Sequence, residues 1–210
     1  LVGSEMCIRD RHKVVKVCGT DTLIHLVSGI DKRIHSLKIQ KRSEGEFGKT
    51  TIHQFVLSGS GRLAEEPAVR TRHIEFIGNS LTCGYGTDGK HRDEPFLVET
   101  ENCNLTFASM VARYYDADYT LIAHSGRGAA RNYGDSVRVS KVTMKDRMLN
   151  TFDEDLTHKW NFKGYLPDLV VINLGSNDFS TEPHPYKSEF TKAYKQILAQ
   201  LREHYGDIPI

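Results

Sequence analysis

Three apolar runs in the second half of the chain alternate with segments of helical periodicity. The runs are Ile74–Ile77, Tyr119–Ala123 and Leu169–Leu174, and their length and branched residues favour buried strands. From residue 186 to residue 204 apolar side chains recur every three or four positions, a stripe typical of a helix packed on a sheet: Phe190, Tyr194, Ile197, Leu198 and Leu201. Strands that alternate with helices form βαβ units, so this region is predicted to be an α/β domain with a parallel sheet.

The first part of the chain has a different pattern. Short runs rich in β-branched residues are separated by Gly, Asp and Ser, and each is predicted to be an antiparallel strand: Val14–Val17, Leu23–Val27, Ile34–Ile39 and Ile52–Leu57. Residues 33–41 alternate apolar and polar side chains, as a strand with one face on a core requires. Residues 12–70 are therefore predicted to hold a partial β-sandwich and a linker, which runs from Gly59 to Thr71, and residues 71–210 the α/β domain.

The first eleven residues are treated separately. The stretch Met6-Cys7-Ile8-Arg9-Asp10 looks like a translated sequencing adapter. Residues 1–11 are therefore predicted to be a non-native leader, and they are excluded from the fold prediction as a fusion scar would be. The natural N-terminus is then expected to be absent.

Composition excludes several classes of function. The 210 residues carry 28 basic and 27 acidic side chains, a balance that gives no electrostatic reason to expect a nucleic-acid partner. No run approaches the roughly 20 apolar residues of a membrane-spanning helix, so no membrane partner is predicted. The four cysteines have neither close pairing nor metal-type spacing with histidines, which disfavours a disulfide framework and a zinc site.

Polar residues follow each of the three predicted parallel strands. Ser80 comes just after the first, Gly126 just after the second and Asn177 just after the third. Each residue alone has a structural explanation: Ser80 as a helix N-cap, Gly126 as a loop glycine and Asn177 as part of an Asx turn. Because the carboxyl ends of parallel strands meet at the edge where α/β sheets bind ligands, the three together favour one site.

These residues resemble the SGNH (GDSL-like) hydrolase class. The matching segments are Gly78-Asn79-Ser80-Leu81-Thr82, Gly126, and Gly175-Ser176-Asn177-Asp178. The resemblance implies a three-layer α/β/α fold in which Ser80 is the nucleophile. It also implies an oxyanion hole formed by the backbone N–H groups of Ser80 and Gly126 and the side chain of Asn177. Asn79 departs from the aspartate usual before the serine, and this change loses a carboxylate acceptor.

A closer resemblance, to the family 2 carbohydrate esterases, covers nearly the whole chain after residue 12. It rests on a jelly-roll-like β-sandwich before the hydrolase domain and on three later segments: Phe76 to Gly86, Ser125-Gly126-Arg127-Gly128 followed by Arg131-Asn132-Tyr133-Gly134, and Val171 to Asp178. It implies removal of acetyl groups from xylan or a related plant polysaccharide, no cofactor, and a secreted or periplasmic location. Tyr133 matches the aromatic residue that stacks on sugar in this family. Trp160 is a second candidate for a sugar contact, although packing in the core is the favoured expectation for it.

A serine hydroxyl is a poor nucleophile until a base takes its proton. The class supplies a histidine from a loop after the last sheet strand, and residues 208–210 resemble the start of a fourth strand, so this histidine is expected beyond residue 210. His124 and His184 are the stand-ins considered, and neither lies where the class places its base. The 210 residues alone are therefore expected to be inactive. Two alternatives stay open: a carbohydrate-binding protein without catalysis, and another SGNH acyl hydrolase such as a lipase.

Overall fold

The computed structural model describes residues 2–8, 11–19, 22–31, 33–65, 68–164 and 166–210. Its centre is a parallel sheet of three strands in the order β5-β4-β6: β4 is His73–Gly78, β5 is Asp118–Ala123 and β6 is Leu169–Ile172. Gly78 pairs with Ala123, and Ile77 pairs with Ile172, so the three strands end at nearly the same level. The prediction of three parallel strands is confirmed, although β6 ends two residues earlier than predicted.

Helices cover both faces of this sheet. Ile74 and Phe76 of β4 pack on one face against α2, Phe107–Tyr114. Ile77 packs on the other face against α4, Lys187–Tyr205, which confirms the predicted helix with a shift of one residue. The remaining helical elements are short: α1 (Ser80–Cys83), α3 (Met144–Arg147) and the 3-10 turns Gly45–Phe47, Val98–Thr100 and Cys103–Leu105. In the described part of the chain no helix is long and apolar enough to cross a membrane.

A second sheet lies at the beginning of the chain. It is antiparallel, in the order β2-β1-β3, with β1 at Val2–Ile8, β2 at Arg11–Val17 and β3 at Leu37–Lys41. The central strand is therefore made of residues assigned to a non-native leader and excluded from the fold prediction. Whether these residues are native stays a prediction, as do the predicted domain bounds. Leu1, Arg9 and Asp10 of the leader, and residues 66 and 67 of the predicted linker, lie outside the described residues.

Two of the predicted strands are wrong. Neither Leu23–Val27 nor Ile52–Leu57 forms a strand, and the strand predicted at Ile34–Ile39 begins only at Leu37. The apolar side chains concerned are largely exposed: Leu23 at 86 %, Ile34 at 83 % and Val56 at 69 %. A strand needs a neighbour that satisfies its backbone groups and a core that covers one face. The described residues supply neither for these runs.

Residues 207–210 form no strand, but Val170 of β6 donates a backbone hydrogen bond to the carbonyl of Pro209 at 3.0 Å. The end of the chain therefore lies beside the free edge of β6, where a fourth strand was predicted.

Candidate active site

Ser80 occupies the first position of α1, directly after β4. The N-cap of this helix is Asn79, whose Oδ1 accepts a hydrogen bond from the Leu81 backbone N–H at 3.2 Å. The interpretation of Ser80 as the helix cap is therefore wrong. Among the described residues no group forms a hydrogen bond with the Ser80 hydroxyl, so this hydroxyl is available for chemistry.

Gly78 allows the helix to begin this close to the strand. A Cβ at Gly78 would lie 2.1 Å from Oγ1 of Thr82, so any side chain would displace the first turn of α1. Asn79 is fully buried, and its amide donates to Oγ of Ser176 at 2.9 Å. The sequence indicated only that Asn79 loses a carboxylate acceptor. In the structure its amide supplies a donor that joins the loop after β4 to the loop after β6.

Asn177 and Gly126 are brought together by a second link between loops. The Asn177 amide donates to the carbonyl of Arg127 at 2.8 Å, so its side chain crosses to the loop after β5 and donates there. Since an amide NH₂ has two hydrogens, one is left for another acceptor. Gly126 has φ of +74°, a left-handed conformation that favours glycine.

Two backbone donors at this edge have no acceptor. The N–H groups of Ser80 and Gly126 form no hydrogen bond with any described residue. Their strands end side by side, and the two inter-loop hydrogen bonds connect both loops to the loop of Asn177. The structure therefore places an unpartnered hydroxyl and two free N–H groups at one end of the sheet, together with an amide that has one hydrogen to spare.

The aromatic candidates are both exposed. Tyr133 donates its backbone N–H to the carbonyl of Gly126 at 2.8 Å, which fixes it beside the candidate oxyanion loop, and 62 % of the residue is accessible. Trp160 is 45 % accessible, so the expectation that it packs in the core is wrong. Its backbone N–H donates to the carbonyl of Leu149 in the loop region after α3, and the indole lies at the surface.

Sequence reasoning missed the residue that holds the Gly126 loop in place. Asp178 is fully buried, and its carboxylate accepts three backbone hydrogen bonds at 2.7 to 3.0 Å, from Ala129, Ala130 and Arg131. A Cβ at Gly128 would lie 2.4 Å from Oδ2 of Asp178 and 2.0 Å from a backbone oxygen, so only glycine permits this approach. The position of Asp178 directly after Asn177 is the one sequence feature that could have indicated this role.

Neither histidine considered as a stand-in contacts Ser80. His124 is buried, and its Nδ1 lies 2.5 Å from Oδ2 of Asp153. His184 is half exposed, and its Nδ1 lies 3.3 Å from Oε1 of Glu182. Burial raises the pKa of the Asp153 carboxyl, but the hydrogen bond and charge of His124 outweigh it and hold that pKa below its usual value. His124 therefore belongs to a separate cluster of carboxylates.

Comparison with known proteins identifies the family. Residues 76–210 match the model of the GDSL-like lipase/acylhydrolase family, which is more than half of the chain. The chain belongs to this family. The predicted SGNH (GDSL-like) class and its α/β fold with a parallel sheet are thereby confirmed. The segments with Ser80, Gly126 and Asn177 all lie within the matched region.

The relatives of this GDSL-like hydrolase are carbohydrate esterases. It is 37 % identical to the cellulase/esterase CelE of Acetivibrio thermocellus over 92 % of the chain and 23 % of CelE. It is 36 % identical to an acetylxylan esterase/glucomannan deacetylase of Cellvibrio japonicus over 70 % of the chain and 40 % of that protein. The chain thus spans less than half the length of either relative.

The structural neighbours are also carbohydrate esterases. A family two carbohydrate esterase from Clostridium thermocellum, solved in complex with cellohexaose, superposes with a TM-score of 0.87 at 32 % identity. The match covers 99 % of this chain and 62 % of that one. A family 2 enzyme of Corynascus thermopiles superposes with a TM-score of 0.85 at 25 % identity, over 99 % of this chain and 63 % of that one. The predicted resemblance to family 2 carbohydrate esterases is confirmed.

Proposed function

We propose that this site belongs to a serine esterase that removes O-acetyl groups from carbohydrate. The observation that carries the proposal is the set of unused groups at the sheet edge: the free Ser80 hydroxyl and the free N–H groups of Ser80 and Gly126. Ser80 Oγ would attack the acetyl carbonyl, and the resulting oxyanion would be stabilised by these two N–H groups and the second hydrogen of the Asn177 amide. The sugar hydroxyl then leaves, and water releases acetate from the acetyl-enzyme.

The attack needs a base, and no described residue forms a hydrogen bond with the Ser80 hydroxyl. We therefore expect a histidine outside these 210 residues to act as the base. It follows that the 210 residues alone hydrolyse acetate esters poorly, because the serine keeps its proton. No metal or organic cofactor takes part in the proposed reaction.

The proposed substrate is an acetylated plant polysaccharide such as xylan. One relative is named a cellulase/esterase and the other an acetylxylan esterase/glucomannan deacetylase, and one structural neighbour was solved with cellohexaose. Tyr133 supports the proposal, because an exposed ring fixed beside Gly126 offers a face on which a sugar ring can stack. A polysaccharide substrate also favours a secreted or periplasmic location.

The test restores the missing base chemically. The purified protein is assayed on acetylated xylan and on a small acetate ester, with and without added imidazole, beside Ser80→Ala and the control Ser188→Ala. Ser188 is exposed on α4, far along the chain from the site. With imidazole, the wild type and Ser188→Ala should hydrolyse the ester much faster than Ser80→Ala. The rate of Ser80→Ala measures the hydrolysis that imidazole causes without the serine. Equal rates for wild type and Ser80→Ala at saturating imidazole would refute Ser80 as the nucleophile.

A second function is carbohydrate binding without catalysis, which the exposed ring of Tyr133 beside Gly126 favours. In that case the protein would bind cello- or xylo-oligosaccharide, and Tyr133→Ala would weaken this binding, while imidazole would give no Ser80-dependent rate. The esterase proposal requires both binding and the imidazole effect. The two functions are therefore distinguished by one pair of measurements.

A further inference from the structure

The side chain of Glu44 contacts two parts of the candidate active site from outside the parallel sheet. Glu44 follows β3, and its side chain is almost completely buried. Its Oε2 accepts the backbone N–H of Ser125 at 2.6 Å and the thiol of Cys83 at 3.4 Å. Ser125 directly precedes Gly126, and Cys83 ends the helix α1. One carboxylate oxygen therefore joins the loop of a candidate oxyanion donor to the helix that begins with Ser80.

A second buried carboxylate, that of Glu101, lies against Glu44. Glu101 follows the 3-10 turn Val98–Thr100, and only 1 % of the residue is accessible. Its Oε1 accepts the backbone N–H of Glu44 at 2.8 Å. One carboxylate oxygen from each residue also lies within 4.8 Å of the other. We call these two residues the Glu44–Glu101 pair.

Each carboxylate of the pair has one oxygen without a partner. Oε1 of Glu44 and Oε2 of Glu101 are buried and form no hydrogen bond with any described residue. Two negative charges this close repel each other strongly in a buried space, because no water screens them. A single proton shared by the two unpartnered oxygens would remove the repulsion and satisfy both of them.

The basic side chains near the pair are engaged with other groups. Lys41 donates to the backbone carbonyls of Ser43 and Glu44, and not to a carboxylate of the pair. Arg42 donates to the backbone carbonyl of Glu101 at 3.3 Å and forms an ion pair with Asp88. In the part of the chain that the structure describes, neither carboxylate of the pair forms an ion pair with a lysine or an arginine. A proton is therefore the available means of neutralising one charge.

The surroundings of the pair contain few other groups that can titrate. The charged or titratable side chains that face it are Lys41, Arg42, Glu46, Cys83 and His124. Burial and the carboxylates of the pair raise the pKa of the Cys83 thiol well above its usual range, so this thiol keeps its proton and donates it to Glu44. Nδ1 of His124 lies 3.8 Å from Oε2 of Glu44, beyond hydrogen-bond distance.

We propose that Glu44 and Glu101 share one proton, and that the pair in this form positions the Ser125–Gly126 loop and helix α1 for the reaction of Ser80. Oε2 of Glu44 accepts two hydrogen bonds, which favour its charged form, whereas the Glu101 carboxylate accepts one. Glu101 therefore carries the proton and donates it to Glu44. The positioning role rests on the proposed function of Ser80, but the shared proton does not.

The pair holds its proton into the alkaline range. Burial and the Glu44 carboxylate raise the pKa of Glu101 from its ordinary value of 4.5 to about 8, against the smaller effects of the Glu44 N–H and Lys41. The stability that the proton contributes is complete below pH 4.5 and is lost as the pH rises toward 8. Above pH 8 both carboxylates are charged, and their repulsion moves Glu44 away from its position against Ser125 and Cys83.

The first test observes the shared proton directly. The protein is labelled with ¹³C at the glutamate carboxyl groups and titrated by NMR. One carboxyl should titrate near pH 8. Its signal should be absent in Glu101→Gln and should titrate at lower pH in Glu44→Gln, which removes the repelling charge. The matched control is Glu99→Gln, because Glu99 lies in the turn before Glu101 but is half exposed and paired with Lys16.

The signal near pH 8 should be unchanged in the Glu99→Gln control. Absence of a Glu101-dependent signal that titrates above pH 7 in the wild type would overturn the shared proton. An unchanged titration in Glu44→Gln would overturn it as well, since Glu101 would then titrate independently of its neighbour.

The second test measures stability by thermal unfolding between pH 6 and pH 9. The amide of Glu101→Gln resembles the protonated carboxyl and does not titrate. The unfolding temperature of the wild type should therefore fall by about 5 °C more than that of Glu101→Gln over this range. Glu99→Gln should follow the wild type. Parallel curves for the wild type and Glu101→Gln would contradict the proposal.

Circular dichroism shows whether each variant is folded. Glu44→Gln replaces Glu101→Gln if the latter fails to fold, because it too leaves one carboxyl beside a neutral amide. Its unfolding temperature should then depend less on pH than that of the wild type, and an equal dependence would contradict the shared proton.

The third test measures the positioning role. The readout is the Ser80-dependent rate in imidazole, which is the rate left after subtraction of the Ser80→Ala rate. It is followed from pH 7.5 to 9.5, where free imidazole is largely unprotonated. The rate of the wild type should fall by at least about threefold as the pair loses its proton, whereas Glu101→Gln should keep most of its rate.

The outcomes of this test separate the two proposals. Parallel pH profiles for the wild type and Glu101→Gln would refute the positioning role. A Ser80-dependent rate that is absent from every variant at every pH would refute the esterase function, and the positioning role with it. The shared proton is decided by the NMR titration in either case.

Discussion

Asp178 and Glu44 are both buried carboxylates close to the carboxyl edge of the parallel sheet, but their surroundings differ. Asp178 accepts backbone hydrogen bonds from three successive residues of one loop, and both of its oxygens are used. Glu44 accepts one backbone hydrogen bond, from Ser125, and its Oε1 has no partner among the described residues. Asp178 is therefore complete within the protein, whereas Glu44 has a buried oxygen with capacity for one further hydrogen bond. A buried carboxylate whose oxygens are all used holds structure in place, and one with a spare oxygen can accept a proton or another donor.

The largest effect that tests this comparison is expected from Asp178→Asn. The amide keeps one acceptor oxygen but turns an NH₂ group toward backbone N–H donors, so at least one buried donor loses its partner. We expect the free energy of unfolding to fall by about 2 to 4 kcal/mol, the range for the loss of charge-assisted buried hydrogen bonds. Urea denaturation followed by circular dichroism measures this change.

The matched control for Asp178→Asn is Asp116→Asn. The Asp116 side chain is 85 % exposed, and its positive φ of 49° suits asparagine. The control should change stability by no more than about 0.5 kcal/mol, as surface substitutions usually do. Equal losses in the two variants would mean that the hydrogen bonds of Asp178 contribute nothing specific.

Glu75 is an intermediate case between these two carboxylates. It is buried in the middle of β4, where Oε2 accepts the Tyr205 hydroxyl at 2.8 Å and Oε1 has no partner among the described residues. Burial raises the pKa of Glu75, and the hydrogen bond from Tyr205 offsets this only in part. The folded protein therefore holds a proton at Glu75 that the unfolded chain releases earlier as the pH rises.

Because the folded state binds the extra proton, the contribution of Glu75 to stability is complete at acid pH. It decreases as the pH rises above the ordinary value of a glutamate, near 4.5. Glu75→Gln should thus lose stability relative to the wild type at acid pH and recover it toward neutral pH. Unfolding measured across this range gives the difference, with Glu203→Gln, exposed on α4, as control. A difference that does not vary with pH would contradict the assigned titration.

The sequence predicted the parallel sheet and α4 well and the first part of the chain poorly. Strand β4 is buried along its whole length, so its apolar pattern is determined by the two cores that it separates. The run Ile52–Leu57 is equally apolar, but an apolar pattern shows only which residues favour a strand. Whether a strand forms depends on a neighbouring strand, and that neighbour is not visible in a local pattern.

At the candidate site, sequence motifs indicated which residues lie at the sheet edge. They did not indicate which hydrogen bonds connect the loops. The helix cap by Asn79 and the hydrogen bond from Asn177 to the carbonyl of Arg127 depend on side-chain directions, which a sequence motif does not specify. The carboxylates around His124 were missed for another reason: Glu44, His124 and Asp153 are separated by 80 and 29 positions, so no short spacing marks them.

The smallest effect is expected from Glu44→Gln, which removes the charge of a buried carboxylate with one unpaired oxygen. Glutamine keeps an oxygen for the Ser125 N–H and replaces the orphan oxygen by a neutral donor. A carboxylate oxygen of Glu101, whose Oε2 also lacks a partner among the described residues, lies within 4.8 Å of one from Glu44, so the new amide has a polar neighbour. We therefore expect the free energy of unfolding to stay within about 1 kcal/mol of the wild type or to increase. A loss as large as that of Asp178→Asn would show that Glu44 is satisfied within the protein, and the distinction between the two carboxylates would then disappear.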